Sequence, residues 1–472
     1  MEIFPALVGK AEKFKDMRSD QNKNTIKYLS PNQKAWIRFK KNKTAMLGLI
    51  LIILSVLIAI FAPIITTDRT PNANEQILEI ATQDPGFKMN FIRKEKIRDK
   101  NLDQCSFLKK VFVGCENKYE LIPITSYEIQ GDKIIYQRYQ GNIKNTKNDT
   151  IALNELAINF NSSMDQKKVI ENHITNKKYI LGTDKFGRDN YSRLILGVRV
   201  SLSVGLFAVI ISLIIGIVLG AIAGFYNKEK PRVNIFLLII GIFFLMFYVY
   251  SVFHYFQQWA YPVVIKLCIV LLGFFVIGYA FIKLQNSIGE KTTKYSINFP
   301  IDDIIMYIIN VFWPIPVLLL IFSMILALGR EFWQIFLAVG LVMWVEVARI
   351  VRGQFMSLRE KEFVEASKSL GFSNTRTIFK HILPNAIGPI IVITAANFAS
   401  AIIIEAGLSF LGIGVQPPMP SWGTMLYEYY GYIGSDKSFL AIIPGLAIML
   451  LVLAFNLVGN GLRDALDVKG KI

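Results

Sequence analysis

Eight runs of apolar residues constrain this chain more than any other feature of its 472 residues. They extend over about Ala45 to Ile65, Val200 to Phe225, Val233 to Phe253, Trp259 to Ile282, Ile304 to Leu328, Phe332 to Val351, Asn385 to Gly414 and Phe439 to Gly461. Each is long enough to cross a hydrocarbon core of roughly 30 Å as a helix of about 20 residues. Buried helices of a soluble core would alternate polar and apolar faces, and these do not. With 53% hydrophobic and 18% charged residues, the whole chain is too apolar for an ordinary soluble protein. The expectation is an all-α polytopic membrane protein. Pro314, Pro316 and Pro444 fall inside runs, where membrane helices tolerate them if neighbouring groups satisfy the freed carbonyls.

The formal net charge is +17, and its placement argues against nucleic acid. Lysine and arginine crowd the tail before the first run (Lys34, Arg38, Lys40, Lys41, Lys43) and then alternate segments, with Lys228, Lys230, Arg232, Lys291, Lys294, Arg359, Lys361, Lys368, Arg376, Lys380, Arg463, Lys469 and Lys471. The intervening short loops near Gln257, Arg330 and Lys437 carry few. The positive-inside rule therefore predicts cytoplasmic N and C termini, which an even number of spans allows. No cleavable signal peptide is read at the N terminus.

The expected organisation is a cytoplasmic tail at 1–44, a first span at 45–65, an external domain at 66–199, a second span at 200–225, an insertion with two further spans at 226–300, and a core at 301–472. Within the external segment, Tyr119 to Ile124 and Lys133 to Tyr139 are strand-like and Gly131 and Gly141 are turn signals, so a small β-rich domain is compatible with it. Cys105 and Cys115 lie in that segment, where a bridge and two free thiols both remain open; Cys268 lies in a span and reads as packing. His173, His254 and His381 fall in three separate regions, so no metal site is suggested. No phosphate-binding loop is present, and Gly9 with Lys10 lacks the rest of that pattern.

The stretch from Gly353 to Pro384 is the most informative. Ser357 with Glu360 reads as a capping box, Gly371 as a C-terminal stop, and Arg359 to Leu370 as the helix between them. Phe363, Ala366, Ser367 and Leu370 share one face at i, i+3, i+4 and i+7, a face with a small centre suited to close approach by another protein. Ser373 can cap a second helical turn leading through Phe379 to Pro384. On spacing alone, an ordinary connecting loop fits equally well.

The run Glu365-Ala366-Ser367, with Gly371 four residues beyond Ser367 and then Ile382-Leu383-Pro384, resembles the EAA loop that permeases of ABC importers dock into a groove of their ATPase. Ser367 replaces a second alanine of that motif, and His381 replaces an isoleucine. The His381 to Asn385 ending resembles the dipeptide, oligopeptide and nickel branch, most closely the oligopeptide permease C type. Three more segments are similar to that branch: Leu181-Gly182-Thr183-Asp184 through Gly187-Arg188-Asp189 and Ser192-Arg193 to Arg199; Leu408 to Gly412 through Pro417-Pro418 to Ser421-Trp422-Gly423; and Asn456 through Arg463-Asp464 to Asp467. The lead-in at Ser30-Pro31 and Trp36 to Lys43 is similar as well.

The resemblance implies a six-helix type I importer core, here with two added spans and an enlarged external segment. It implies a permease subunit in the cytoplasmic (inner) membrane of a bacterium, importing peptides and having no ATPase site of its own. ATP and Mg would be used by two partner ATPase subunits, and a second homologous permease and an external substrate-binding protein would complete the assembly. Coupling would fall to Phe363, Glu365, Ala366, Ser367, Leu370, Gly371, Leu383 and Pro384. Glu346, Arg349 and Arg352 read as an intrahelical ion pair with snorkelling arginines. Glu405, deeper in its run, is a candidate for a pathway or subunit-contact role. Gly216, Gly220 and Gly224 form a ridge for close helix packing. Neither a secondary transporter nor an anchored sensor fits as well: no inverted repeat or proton relay is visible, and a sensor has no use for a capped helix in a short loop.

Overall fold

A computed structural model describes residues 30–96, 105–131, 133–141, 148–156, 172–228, 231–255, 272–273, 276–280, 283–284 and 296–467. The chain opens with α1 (Pro31–Lys41), capped by Ser30 and Gln33, and continues into α2 (Lys43–Ile65), whose end is set by the polar run after Ile65. A five-stranded antiparallel sheet follows, built from β1 (Phe87–Glu95), β2 (Tyr119–Gln130), β3 (Lys133–Arg138), β4 (Asn148–Ala152) and β5 (Ile174–Tyr179), in the order β4-β3-β2-β1-β5. The short helices α3 (Phe107–Phe112) and α4 (Leu153–Leu156) lie between its strands. Ile92, Ile122, Ile124 and Ile134 alternate onto one buried face, and on the other face Met89, Phe91 and Tyr179 pack with Ile77 and Ile80 in a second cluster. The β-rich domain between the first two spans is therefore real.

Next come α5 (Asn190–Phe225), the small ribbon strand β6 (Arg232–Asn234), and the apolar helix α6 (Ile235–Tyr255). The partner strand β7 (Ser296–Asn298) leads into α7 (Ile301–Phe312), α8 (Val317–Leu328) and α9 (Phe332–Arg359). Then follow α10 (Glu362–Ser369), α11 (Asn374–Arg376), a π-turn over Thr377–Ile382, α12 (Leu383–Phe410), α13 (Trp422–Tyr429) and α14 (Phe439–Leu466).

Among the described residues five helices, α2, α5, α9, α14 and the α11–α12 unit, are long and apolar enough to cross a membrane; α7 and α8 pass the same test only as a pair, bent by 92° at the break between them, and bring the number to six if that pair is one span. The run Ile304 to Leu328 is thus one span in sequence and two helices in space. Pro314 and Pro316 lie in the break, where two missing N–H donors and two ring clashes defeat a continuous ladder. Of the two added spans expected at 226–300, the first run forms α6, and the second, Trp259 to Ile282 with Cys268, lies largely outside the described residues, as do Lys291, Lys294 and the tail 1–29.

The tightest packing joins α5 to α9. A Cβ on Gly216 would lie 2.5 Å from Val347 Cβ, on Gly220 2.5 Å from the Ala348 carbonyl oxygen, and on Gly224 2.6 Å from the Arg352 carbonyl oxygen. The glycine ridge is the seat of α9, which approaches to backbone contact there. One end of the bundle gathers α1, the C-terminal ends of α5, α9 and α14, and the N-terminal end of α12: Arg38 donates to the Asp467 carbonyl at 3.0 Å, and Gly388 lies against Leu466. The sheet and α13 occupy the opposite end.

Candidate coupling site

At the end away from the sheet, α9 runs without interruption to Arg359, and Glu360 and Lys361 turn the chain into α10. Ser357 sits inside α9, so the expected box with Glu360 does not form, and the helix starts at Glu362 rather than Arg359. Its C terminus is a Schellman motif. The Phe372 N–H donates to the Ser367 carbonyl at 3.1 Å and the Gly371 N–H to the Lys368 carbonyl at 2.9 Å, with Gly371 at φ +75°. A glycine is needed there for its backbone, since a Cβ would meet no other atom.

Val364 and Ser367 point inward. Val364 joins Phe225, Phe355, Val351, Ile382 and Ala386 in one buried cluster. Ser367 is 3% exposed; its hydroxyl donates to the Val364 carbonyl at 2.7 Å and lies 3.3 Å from Thr377 Oγ1. The shared face expected from the sequence is corrected accordingly: Ser367 belongs to the floor, and Phe363, Glu365, Ala366 and Leu370 remain outward. Leu370 is 71% exposed and Phe379, on the π-turn, 61%. Leu383 is half-buried and Pro384 exposed in the first turn of α12, where a missing N–H costs nothing.

The return from α10 to α12 is stiffened by a stack. Arg376 lies over the Phe372 ring at 4.0 Å, and Phe372 stacks on His381 at 5.7 Å and 10°. His381, the residue that departs from the motif, is thus a ring platform. Beside α10 a cavity of about 430 Å³ is lined by Asn227, Lys228, Arg359, Glu360, Glu365 and Lys368. Arg359 donates to the Phe225 carbonyl, and Lys228 pairs with Glu360 at 2.5 Å, which holds that carboxyl below its ordinary range.

The charged residues of α9 do not pair as expected. Among the described residues neither Glu346 nor Arg349 has an ionic partner; Arg349 lies over the Trp313 ring at 3.9 Å. Arg352 instead grips Asp302 in the first turn of α7, through Nε at 2.6 Å and Nη2 at 2.8 Å. That contact crosses between spans and was not legible from spacing along one helix. Glu405, the candidate for a pathway or subunit-contact role, is fully buried, and accepts from Ser409 Oγ at 2.8 Å and Ser201 Oγ at 3.2 Å. It closes a polar junction between α5 and α12.

At the sheet end, two segments singled out in the sequence meet. Asp184 accepts from Arg188 Nε at 2.5 Å and from the Tyr429 hydroxyl at 2.9 Å; Glu428 accepts from Arg188 at 2.6 Å and Arg193 at 3.2 Å. Burial works against the Arg188 charge, but Asp184 and Glu428 outweigh it and raise its pKa. Burial pushes the Tyr429 hydroxyl well up, so it stays a donor. Asp189 caps α5, accepting from the Ser192 N–H at 3.3 Å and from the Thr67 hydroxyl. Trp422 donates to the Leu194 carbonyl at 2.9 Å over Gly197, where a Cβ would lie 2.6 Å from its ring. Cys105 and Cys115 are bonded, with Cα atoms 6.3 Å apart. Among the described residues no group of three or more His, Cys, Asp or Glu is placed to hold a metal.

Residues 289–469 match the family model described as the binding-protein-dependent transport system inner membrane component, and residues 30–85 match that of the N-terminal TM domain of oligopeptide transport permease C. A dipeptide transport system permease protein, DppC, of Alkalihalophilus pseudofirmus is 35% identical over 290 residues, covering 61% of this chain and 72% of that one. The glutathione transport system permease protein GsiD of Pectobacterium atrosepticum is 32% identical over 294 residues, 62% of this chain and 73% of that one. The oligopeptide transport system permease protein OppC of Bacillus subtilis is 40% identical over 174 residues, 36% of this chain and 55% of that one.

Proposed function

The chain belongs to the peptide-type family of binding-protein-dependent ABC importer permeases, and from that membership we propose that its α10 hairpin is the surface through which a partner ATPase drives peptide import. One observation carries the assignment. At the end of the bundle away from the sheet, Phe363, Ala366 and the C-cap Leu370 are left outward on a helix that is itself firmly seated by Val364 and Ser367, and Phe379 is exposed on the π-turn beyond it. A rigid helix with an apolar exposed face and a small centre suits a groove in another protein.

In this reading the permease sits in the inner membrane with both termini and α10 in the cytoplasm and the sheet outside. The basic residues of α1, Lys228 and the α10 hairpin share one end of the bundle, which supports that orientation through the positive-inside rule. The chain contributes coupling and pathway. ATP and Mg are consumed by two ATPase subunits, peptide arrives on an external binding protein, and a second homologous permease completes the pathway. Closure of the ATPases displaces α10. Because α10 shares its buried cluster with α5, α9 and α12, the spans move with it.

The test replaces Ala366 by Arg. A charge desolvated at a close contact costs several kcal/mol, enough to abolish a modest interface. Insertion should be normal, since Ala366 lies outside every span, while the ATPase is lost on purification from membranes and uptake stops. Normal ATPase retention and uptake would sink the assignment.

A further inference from the structure

The short helix α3 and the hairpin around it are not explained by import. None of the α3 residues is buried. Phe107 is 78% exposed and Leu108 64%, and Phe112 and Val113 are exposed beside them. Four large apolar side chains within seven residues make a patch that water penalises.

The hairpin's position is fixed closely. The Cys105 to Cys115 bond closes it, and the Cys115 N–H donates to the Arg69 carbonyl at 3.0 Å. Gly114, at φ +94°, lies so near Arg69 that a Cβ would sit 2.6 Å from the carbonyl oxygen. Arg69 is four residues past Ile65, the last residue of α2. Helix α3 therefore packs against α2 where that span ends. Phe61, Ile64 and Ile65 form the exposed apolar edge of α2 at that point, and Ile64, Ile65, Lys110, Lys118 and Lys177 line one cavity of about 1000 Å³.

We propose that the Cys105 to Cys115 hairpin is an interfacial membrane anchor. Phe107, Leu108, Phe112 and Val113 enter the acyl boundary of the leaflet from which α2 emerges, and Lys109 and Lys110 reach the phosphates of its phospholipids. The patch is continuous with the bilayer-facing edge of α2, so the same apolar phase covers both. Two lysines in the middle of the apolar set suit a plane where hydrocarbon meets anionic headgroups, because their stems bury while their ammonium groups stay wet. The anchor ties the sheet domain to the membrane surface at a second point. It depends on the chain spanning a bilayer and not on the direction of transport.

The test places p-benzoylphenylalanine at residue 107, 108 or 112 of the full chain, and at Tyr127 as control. Tyr127 is exposed on β2 about 26 Å along the strand from the cavity residue Tyr119, at roughly 3.3 Å per residue. The proteins are irradiated in nanodiscs of phosphatidylcholine with and without phosphatidylglycerol, and adducts are read by mass spectrometry. Phospholipid adducts are expected at 107, 108 and 112 and not at 127. Lys109→Glu with Lys110→Glu should lower the yield several-fold in discs containing phosphatidylglycerol. Irradiation in native membranes that links these positions only to a binding protein or a second permease, or no lipid adduct in the discs, would overturn the anchor; an unchanged yield in the lysine variant would overturn the headgroup contact.

Discussion

Ser367 and its neighbour Val364 decide which way α10 faces. Helical spacing groups Phe363, Ala366, Ser367 and Leu370, but spacing cannot say where the floor lies; the cluster around Phe225 and Phe355 takes Val364 and, with it, Ser367. Gly371 was legible, because a helix stop at positive φ has a chemical signature in sequence. Gly371→Val should misdirect Phe372 to Pro384 at a cost of about 1–2 kcal/mol from the left-handed backbone alone, while Gly371→Asn, tolerant of that conformation, should keep the ATPase; equal retention by both on co-purification would refute this role for the glycine. Glu405 was legible as costly and not as satisfied, since its hydroxyl partners Ser201 and Ser409 come from two helices. Glu405→Leu should lower the unfolding midpoint in detergent, each stranded buried hydroxyl costing about 1–3 kcal/mol; Glu405→Gln, which keeps an acceptor, should lower it less.

At the level of elements, the apolar runs located most spans because hydrocarbon demands length and composition, both readable in one dimension. The partner of a helix is not readable in that way. The glycine ridge of α5 announced close packing, yet only the structure shows that Val347, Ala348, Val351 and Phe355 of α9 fill it. Gly220→Val would drive a side chain into the Ala348 carbonyl, where no flexible group can yield, so loss of a monodisperse peak in size-exclusion chromatography is expected. Gly353→Ala, on the open face of α9, meets nothing and should be neutral or stabilise by about 0.5–1 kcal/mol. The bent α7–α8 pair shows the opposite limit. Pro314 and Pro316 were visible, but a proline pair permits a mild kink or a sharp break, and the packing settles which: Arg349 over Trp313 at the break and Arg352 on Asp302 at the start of α7.

For the whole molecule, the orientation we propose can be checked on intact cells in a Cys268→Ser background, with Cys105 and Cys115 left bonded. Tyr127→Cys should react with an impermeant thiol reagent and Ser373→Cys only after permeabilisation; the reverse pattern would invert the orientation. Helix α5 reaches from one end of the bundle to the other. Its 36 residues make a rod of about 54 Å at roughly 1.5 Å per residue, with no proline along it. Its first turn is clamped beside the Asp184, Arg188 and Glu428 cluster, and its last residue, Phe225, lies under Arg359. A stiff rod tilts more readily than it bends. With the ridge from Gly216 to Gly224 seated on α9 as a pivot, a tilt carries its two tips in opposite directions, the distant N-terminal tip through the larger arc. Separation on one side of the membrane then accompanies convergence on the other through leverage alone, with no relay of side-chain rearrangements in between.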